Sequence, residues 1–207
     1  DSITKWTAEI DDPNLIPLHL HRAFRDCMAY PPGPVAMGLT MNALGPIVRG
    51  ENTLVGDIAS DDIAGPSPCQ GDPTAIEEAV QLLVKAKRPV VVTGDGVHWA
   101  QAGPELRELV ELLRMPLHMR RASRGAVSEE HSLVFHGAYR SEFWRDADLV
   151  LIIGLRLGWM EWYGLPPAWP SESKCIIVHE SATDGWTPLP SELNIVGNPK
   201  LVLRQIL

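Results

Sequence analysis

The stretch Pro89-Val90-Val91-Val92-Thr93-Gly94-Asp95-Gly96 decides how this chain folds. A β-branched apolar run with no polar alternation is the signature of a strand buried on both faces, and such strands belong to parallel sheets. The run stops at a Gly-Asp-Gly turn, and a helical pattern follows at Gly103–Arg114. A buried strand that delivers a tight turn to a helix is the unit of an open α/β sheet, and ligands of such sheets gather at these turns. The same layout recurs at Asp148–Gly154.

Working outward, Asp72-Pro73 is an N-cap with proline at the first helical position, and Ile76, Ala79, Val80, Leu83 and Val84 make a helical stripe behind it. Leu106, Leu109, Val110 and Leu113 form the sheet-facing side of the next helix. Pro116–Met119, Asp148–Ile153, Cys175–Val178 and Leu193–Val196 read as further strands, Arg140–Ala147 as a short helix, and Asn198-Pro199 as the cap of a terminal helix. Alternating strands and helices predict a Rossmann-like α/β fold, a parallel sheet with helices on both faces, over 72–207.

Ahead of it, Lys5–Ile10 is an expected strand. Asp12-Pro13 opens a helix whose buried face is Ile16, Leu20, Ala23, Phe24, Cys27 and Met28, and Val35–Leu39 is a second strand. One strand–helix–strand crossover is too little for a core of its own, so 1–44 reads as a partial second α/β domain. The stretch 45–71, with Asp61-Asp62-Ile63-Ala64-Gly65-Pro66-Ser67-Pro68 at its middle, has the composition of a linker.

Composition narrows the function. A formal net charge of −8 over 207 residues argues against nucleic acid, whose phosphates need a cationic face. The tight basic cluster Arg120, Arg121 and Arg124 suits one phosphate or carboxylate. Cys27, Cys69 and Cys175 have neither metal-ligand spacing nor a disulfide framework, which points to a reducing cytoplasm. No apolar run has the length of a membrane span, no signal peptide is visible, and a start at Asp1 suggests excision from a longer chain.

Four residues are candidate ligand contacts. Gly94 and Gly96 could let a backbone approach a phosphate, although Trp99 stands where the third glycine of Gly-x-Gly-x-x-Gly belongs. Arg156, just past the strand ending at Gly154, carries a guanidinium, a group suited to bidentate pairing. Glu180, after the Lys174–Val178 strand, carries a carboxylate that can accept hydrogen bonds. The seven histidines show no helical i, i+4 pair, so metal is not expected. No Gly-x-Ser-x-Gly elbow frames Ser123. The aromatic run Gly158-Trp159-Met160-Glu161-Trp162-Tyr163-Gly164-Leu165-Pro166-Pro167-Ala168-Trp169 reads as an interface anchor, or as a stacking wall for an adenine ring or a cover over an active site in a neighbouring domain.

The order of motifs resembles the thiamine-diphosphate-dependent enzymes of the acetolactate synthase, benzoylformate decarboxylase and 2-hydroxyacyl-CoA lyase group. Ile3-Thr4-Lys5-Trp6 and Gly33-Pro34-Val35 are similar to the end of their pyrimidine-binding domain. Arg88–Gly96, Ser123-Arg124-Gly125-Ala126, Glu130-His131-Ser132-Leu133, His136-Gly137, Ala147–Arg156, Lys174–His179 and Ile195-Val196-Gly197-Asn198 are similar to their DHS-like central domain. The resemblance implies carbon–carbon bond cleavage or formation on 2-keto acids or 2-hydroxyacyl compounds. It implies thiamine diphosphate and magnesium in the parent enzyme, ADP or FAD in some central domains, and a homo-oligomer. By the same resemblance Arg156 sits where an arginine pairs with a nucleotide phosphate, and Glu180, where members that hold ribose often carry aspartate, could accept ribose hydroxyls. The resemblance also implies that this portion is not catalytic by itself; the alternative readings are a stand-alone ADP- or FAD-binding module and a purely structural interaction domain. The family's cofactor-activating glutamate lies earlier in the pyrimidine-binding domain. Gly94-Asp95-Gly96 imitates the family's metal motif, but the asparagine that completes it is missing, since none occurs between Asn52 and Asn194. Asp95 therefore reads as a turn residue. The expected partners are the pyrimidine- and pyrophosphate-binding domains.

Overall fold

The computed structural model describes residues 3–45, 67–137, 144–181 and 191–207. The chain divides into two compact units, Asp1–Ser67 and Pro68–Leu207. Most of the stretch expected as a linker lies outside the described residues.

In the first unit, β1 (Trp6–Ile10) leads through a 3-10 turn to α1 (Ile16–Met28) and then to β2 (Val35–Leu39). The two strands pair in parallel, from Trp6 opposite Val35 to Ile10 opposite Leu39. Asp12 caps the turn as expected, its carboxylate accepting the Asn14 N–H at 2.9 Å. A short helix, α2 (Met41–Leu44), follows, capped by Thr40. The expected buried face of α1 does not form: Ala23 alone is buried, Ile16 and Cys27 are half-buried, and Leu20, Phe24 and Met28 are exposed. Among the described residues the sheet has two strands, too narrow to cover a helix face, and a two-stranded sheet is marginal without further layers.

In the second unit, α3 (Pro73–Lys85) precedes β3 (Pro89–Thr93). A short helix, α4 (Asp95–Trp99), follows β3 directly and leads to α5 (Gly103–Leu113). Then come β4 (Leu117–Met119), β5 (Leu149–Ile153), β6 (Lys174–His179), β7 (Leu193–Val196) and α6 (Pro199–Ile206). The sheet runs β4-β3-β5-β6-β7 with every pair parallel. The strand order reverses between β3 and β5, which creates a topological switch point at their C-terminal ends.

Alternate residues of the strands fill two cores. On one face Val91, Leu117, Leu151, Ile153, Ile176 and Val178 pack under α3, α5 and α6. Full burial of a Val, Leu or Ile side chain contributes roughly 1.5–3 kcal/mol. Of the expected α3 stripe, Ile76, Ala79 and Leu83 are buried, but Val84 faces out. On the other face Val90, Val92, Val150, Ile152 and Ile177 pack against Trp144, Leu155, Leu157 and Trp169. The first half of the helix expected at Arg140–Ala147 lies outside the described residues. Asp72 and Asn198 cap α3 and α6, accepting the Ala75 N–H at 3.0 Å and the Lys200 and Leu201 N–H groups at 3.1 and 3.3 Å.

Candidate functional site at the C-terminal edge of the sheet

The glycine turn meets its counterpart across the switch point. The Gly94 N–H donates to Ile153 O and the Gly96 N–H to Gly154 O, both at 3.0 Å. A Cβ at Gly94 would lie 2.7 Å from the Gly154 carbonyl oxygen, and one at Gly154, where φ is +57°, would lie 2.5 Å from Gly96 Cα. These glycines therefore let two loops touch backbone to backbone. The space that a phosphate would use at Gly94 is filled by the β5 turn.

The remaining sequence-derived residues lie around this knot. Asp95 accepts the Ala122 N–H at 3.0 Å and sits 3.8 Å from an Arg121 nitrogen. Its carboxylate is thus tied into the turn after β4. Thr93 and Ser123 hydroxyls bond at 3.0 Å, and Ser123 Oγ donates to Arg120 O at 2.7 Å. The hydroxyl is a structural staple. Each arginine of the basic cluster already faces a carboxylate: Arg120 faces Glu161, Arg121 faces Asp95, and Arg124 faces Glu129. The cluster is neutralised within the chain, so its expected role toward an external anion is not supported.

Arg156 is exposed, three residues beyond β5, and Glu180 is half-buried just beyond β6. Their strand ends are tied together, because His179 Nε2–H donates to Leu155 O at 2.9 Å. Arg156 and Glu180 thus stand on neighbouring strand ends, one cationic and one acidic. Burial pushes the Glu180 carboxyl above its usual range, and the Asn198 side-chain amide, which donates to it, only partly offsets this. Three further histidines serve local structure. His118 Nδ1–H donates to Phe135 O at 2.8 Å, His131 Nε2 lies 3.1 Å from Glu111, and His136 Nε2–H donates to Glu129 O at 3.0 Å. Among the described residues, no three His, Cys, Asp or Glu side chains gather as a metal site.

The aromatic stretch shows what the sequence concealed. Glu161 is fully buried, accepting the Arg120 Nε–H at 2.8 Å and the Gly158 N–H at 3.1 Å. The Trp169 indole donates to Glu161 O at 2.7 Å, and Trp169 stacks on Trp144 with centroids 4.8 Å apart. Trp162, Tyr163 and Gly164 all have positive φ, at 53°, 54° and 75°. This left-handed turn leaves Trp159, Trp162 and Tyr163 exposed. Two aromatic residues in that region are strained, and such strain persists only where surroundings enforce it. No local spacing links Arg120 to Glu161, 41 residues apart. The one cue was an acid flanked by aromatics.

The sequence profile described as "Thiamine pyrophosphate enzyme, central domain" matches residues 76–206. The chain is similar to 2-hydroxyacyl-CoA lyase 1 of Dictyostelium discoideum, 36% identical over 140 residues, covering 65% of this chain and 24% of the relative. It is similar to oxalyl-CoA decarboxylase of Escherichia coli (strain K12), 29% identical over 174 residues, covering 83% of this chain and 30% of the relative. The structure of benzoylformate decarboxylase from Polynucleobacter necessarius superposes with a TM-score of 0.79 at 21% identity, covering 98% of this chain and 38% of that one. The chain thus spans between 24% and 30% of the length of these two curated relatives.

Proposed function

From the premise that the chain belongs to the thiamine pyrophosphate enzymes, whose central domain it contains, we propose that it is the central, non-catalytic portion of a thiamine-diphosphate-dependent enzyme. That enzyme would cleave or form carbon–carbon bonds of 2-hydroxyacyl or 2-keto compounds, as a lyase, decarboxylase or synthase. The names of the relatives support this class of chemistry. Thiamine diphosphate supplies the nucleophile and electron sink when bound. The residues described here do not fit it: a magnesium–diphosphate site needs several free oxygen ligands, and Asp95 spends its carboxylate on Ala122 and Arg121. That commitment is the observation that carries the reading. The cofactor and magnesium would lie on the pyrimidine- and pyrophosphate-binding domains, in a cytoplasmic homo-oligomer.

Within this role, the C-terminal edge would hold an adenine nucleotide, ADP or FAD. Arg156 would face a phosphate, Glu180 the ribose, and Gly94 and Gly96 the turn beneath. The placement of Arg156 and Glu180 on neighbouring strand ends, which His179 ties together, favours this second function over plain scaffolding. Titration calorimetry of the purified chain with ADP, FAD and NAD tests it. Saturable ADP or FAD binding that weakens in Arg156→Ala and Glu180→Ala supports the nucleotide site. Absence of heat with all three leaves a scaffold. Turnover of a 2-keto acid by these residues alone, with thiamine diphosphate and magnesium, would refute the non-catalytic reading.

A further inference from the structure

We propose that a cavity at the opposite, N-terminal edge of the second unit's sheet binds a small amphipathic anion, an apolar chain or ring that ends in one carboxylate or phosphate. The cavity has a volume of about 650 Å³, within the range that small-molecule sites occupy. Its floor is the start of β3, with Pro89 and Val90, and the approach to β4 at Pro116. Its walls are the last turns of α3 and α5, with Leu83, Val84 and Leu113. Val84 is 69% exposed, an apolar group standing open at the mouth although it belongs to the stripe that should face the core.

Charge selects the ligand. Lys87, Arg88 and Arg114 line this hollow against one acid, Asp146, on a chain whose net charge is −8. Arg88 is committed, its Nε–H donating to Asp146 O at 2.5 Å. The Lys87 ammonium and the Arg114 guanidinium are exposed, and neither has a hydrogen bond or ion pair among the described residues. Helix C-termini attract cations by themselves, but that attraction does not call for an apolar hollow between them. The rim is also preorganised. The Asp148 carboxylate accepts the backbone N–H groups of Lys87 and Arg88 at 2.7 and 2.9 Å, pinning both residues to the entrance of β5. Arg114 is held at φ 51° and ψ 41° where α5 ends, a conformation that glycine adopts without cost. An apolar pocket with two cations unpaired among the described residues, on a fixed rim, takes an anion with an apolar body, and it discriminates against the same body without charge.

The test uses the whole chain with four probes: decanoate, decyl phosphate, decanol and acetate. Calorimetry is expected to show saturable one-site binding of decanoate, decyl phosphate or both, and little with decanol or acetate. The stronger of the two anions identifies the headgroup. Amide shifts in NMR spectra should centre on Leu83, Lys87, Val90 and Arg114. Lys87→Glu with Arg114→Glu should weaken binding about tenfold or more. Arg114→Gly removes the cation while suiting the left-handed backbone, so it should keep the melting temperature and still weaken binding severalfold. Equal binding of decanol and decanoate, no saturable heat with any probe, shifts centred elsewhere, or undiminished affinity in Arg114→Gly would overturn the proposal. So would a dimer by light scattering that the charge reversal dissociates, since a second copy would then be the occupant.

Discussion

Single atoms decide the contact between β3 and β5. At Gly154 a methyl group would meet Gly96 Cα at 2.5 Å from a backbone already at φ +57°. Neither the side-chain clash nor the dihedral penalty can relax without parting the loops. Gly154→Ala should therefore lower stability by roughly 2–4 kcal/mol, read as a shifted denaturant midpoint. At Glu180 the effect is electrostatic. Burial raises the folded pKa above the unfolded value of 4.5. Below that value both states are protonated and the group costs nothing. As pH rises through the folded pKa, the carboxyl must ionise where it is poorly solvated, and stability falls. Glu180→Gln keeps an oxygen for the Asn198 amide and cannot ionise. The variant should match the parent near pH 4 and be the more stable at pH 8, measured by urea unfolding at each pH. The Gly-Asp-Gly turn was legible in the sequence because glycine after a β-branched run has few uses. Which atoms those glycines admit was not, because the answer lies 60 residues away in the β5 turn.

Elements follow the same rule. The caps at Asp12, Asp72 and Asn198 were readable because a cap acts within three residues of itself. The central strands were readable because burial on both faces removes polar alternation. The outward face of α1 was misread because periodicity shows which side of a helix is apolar, not whether anything covers it. α4 escaped notice because five residues beginning Asp95-Gly96 carry no period. The aromatic turn depends on a contact that no local pattern encodes, the buried pair of Arg120 and Glu161, whose side chains are 14% and 0% exposed. Removing one partner of such a pair strands a charge, so Arg120→Ala should cost roughly 3–5 kcal/mol, whereas replacing both with apolar residues of similar size should cost far less. A double-mutant cycle followed by tryptophan fluorescence measures the difference, because Trp169 donates to the Glu161 carbonyl and stacks on Trp144.

Across the whole molecule, the two units differ in how completely they bury their apolar surface. The second unit has a five-stranded sheet with a packed core on each face. Among its described residues the first has two strands, and its Phe24, Met28, Met41 and Leu44 are exposed. Local opening costs little where few apolar contacts are lost, so the first unit should open well before the second. The three free cysteines report on this order. Cys69 is exposed, Cys27 lies half-buried on α1, and Cys175 is buried within β6, where burial pushes its thiol up to about 12. The thiolate is the reactive form, and only an opened strand restores an ordinary thiol pKa to Cys175. With iodoacetamide at pH 8, Cys69 should label at once and Cys27 at the rate of first-unit opening. Cys175 should label last, at a rate set by global unfolding. Peptide mass spectrometry over a denaturant series gives the three rates. A steep denaturant dependence for Cys175 and a shallow one for Cys27 is the expected result. Equal slopes for the two would show that the chain opens as one cooperative body, and that the exposed face of α1 costs the first unit none of its stability.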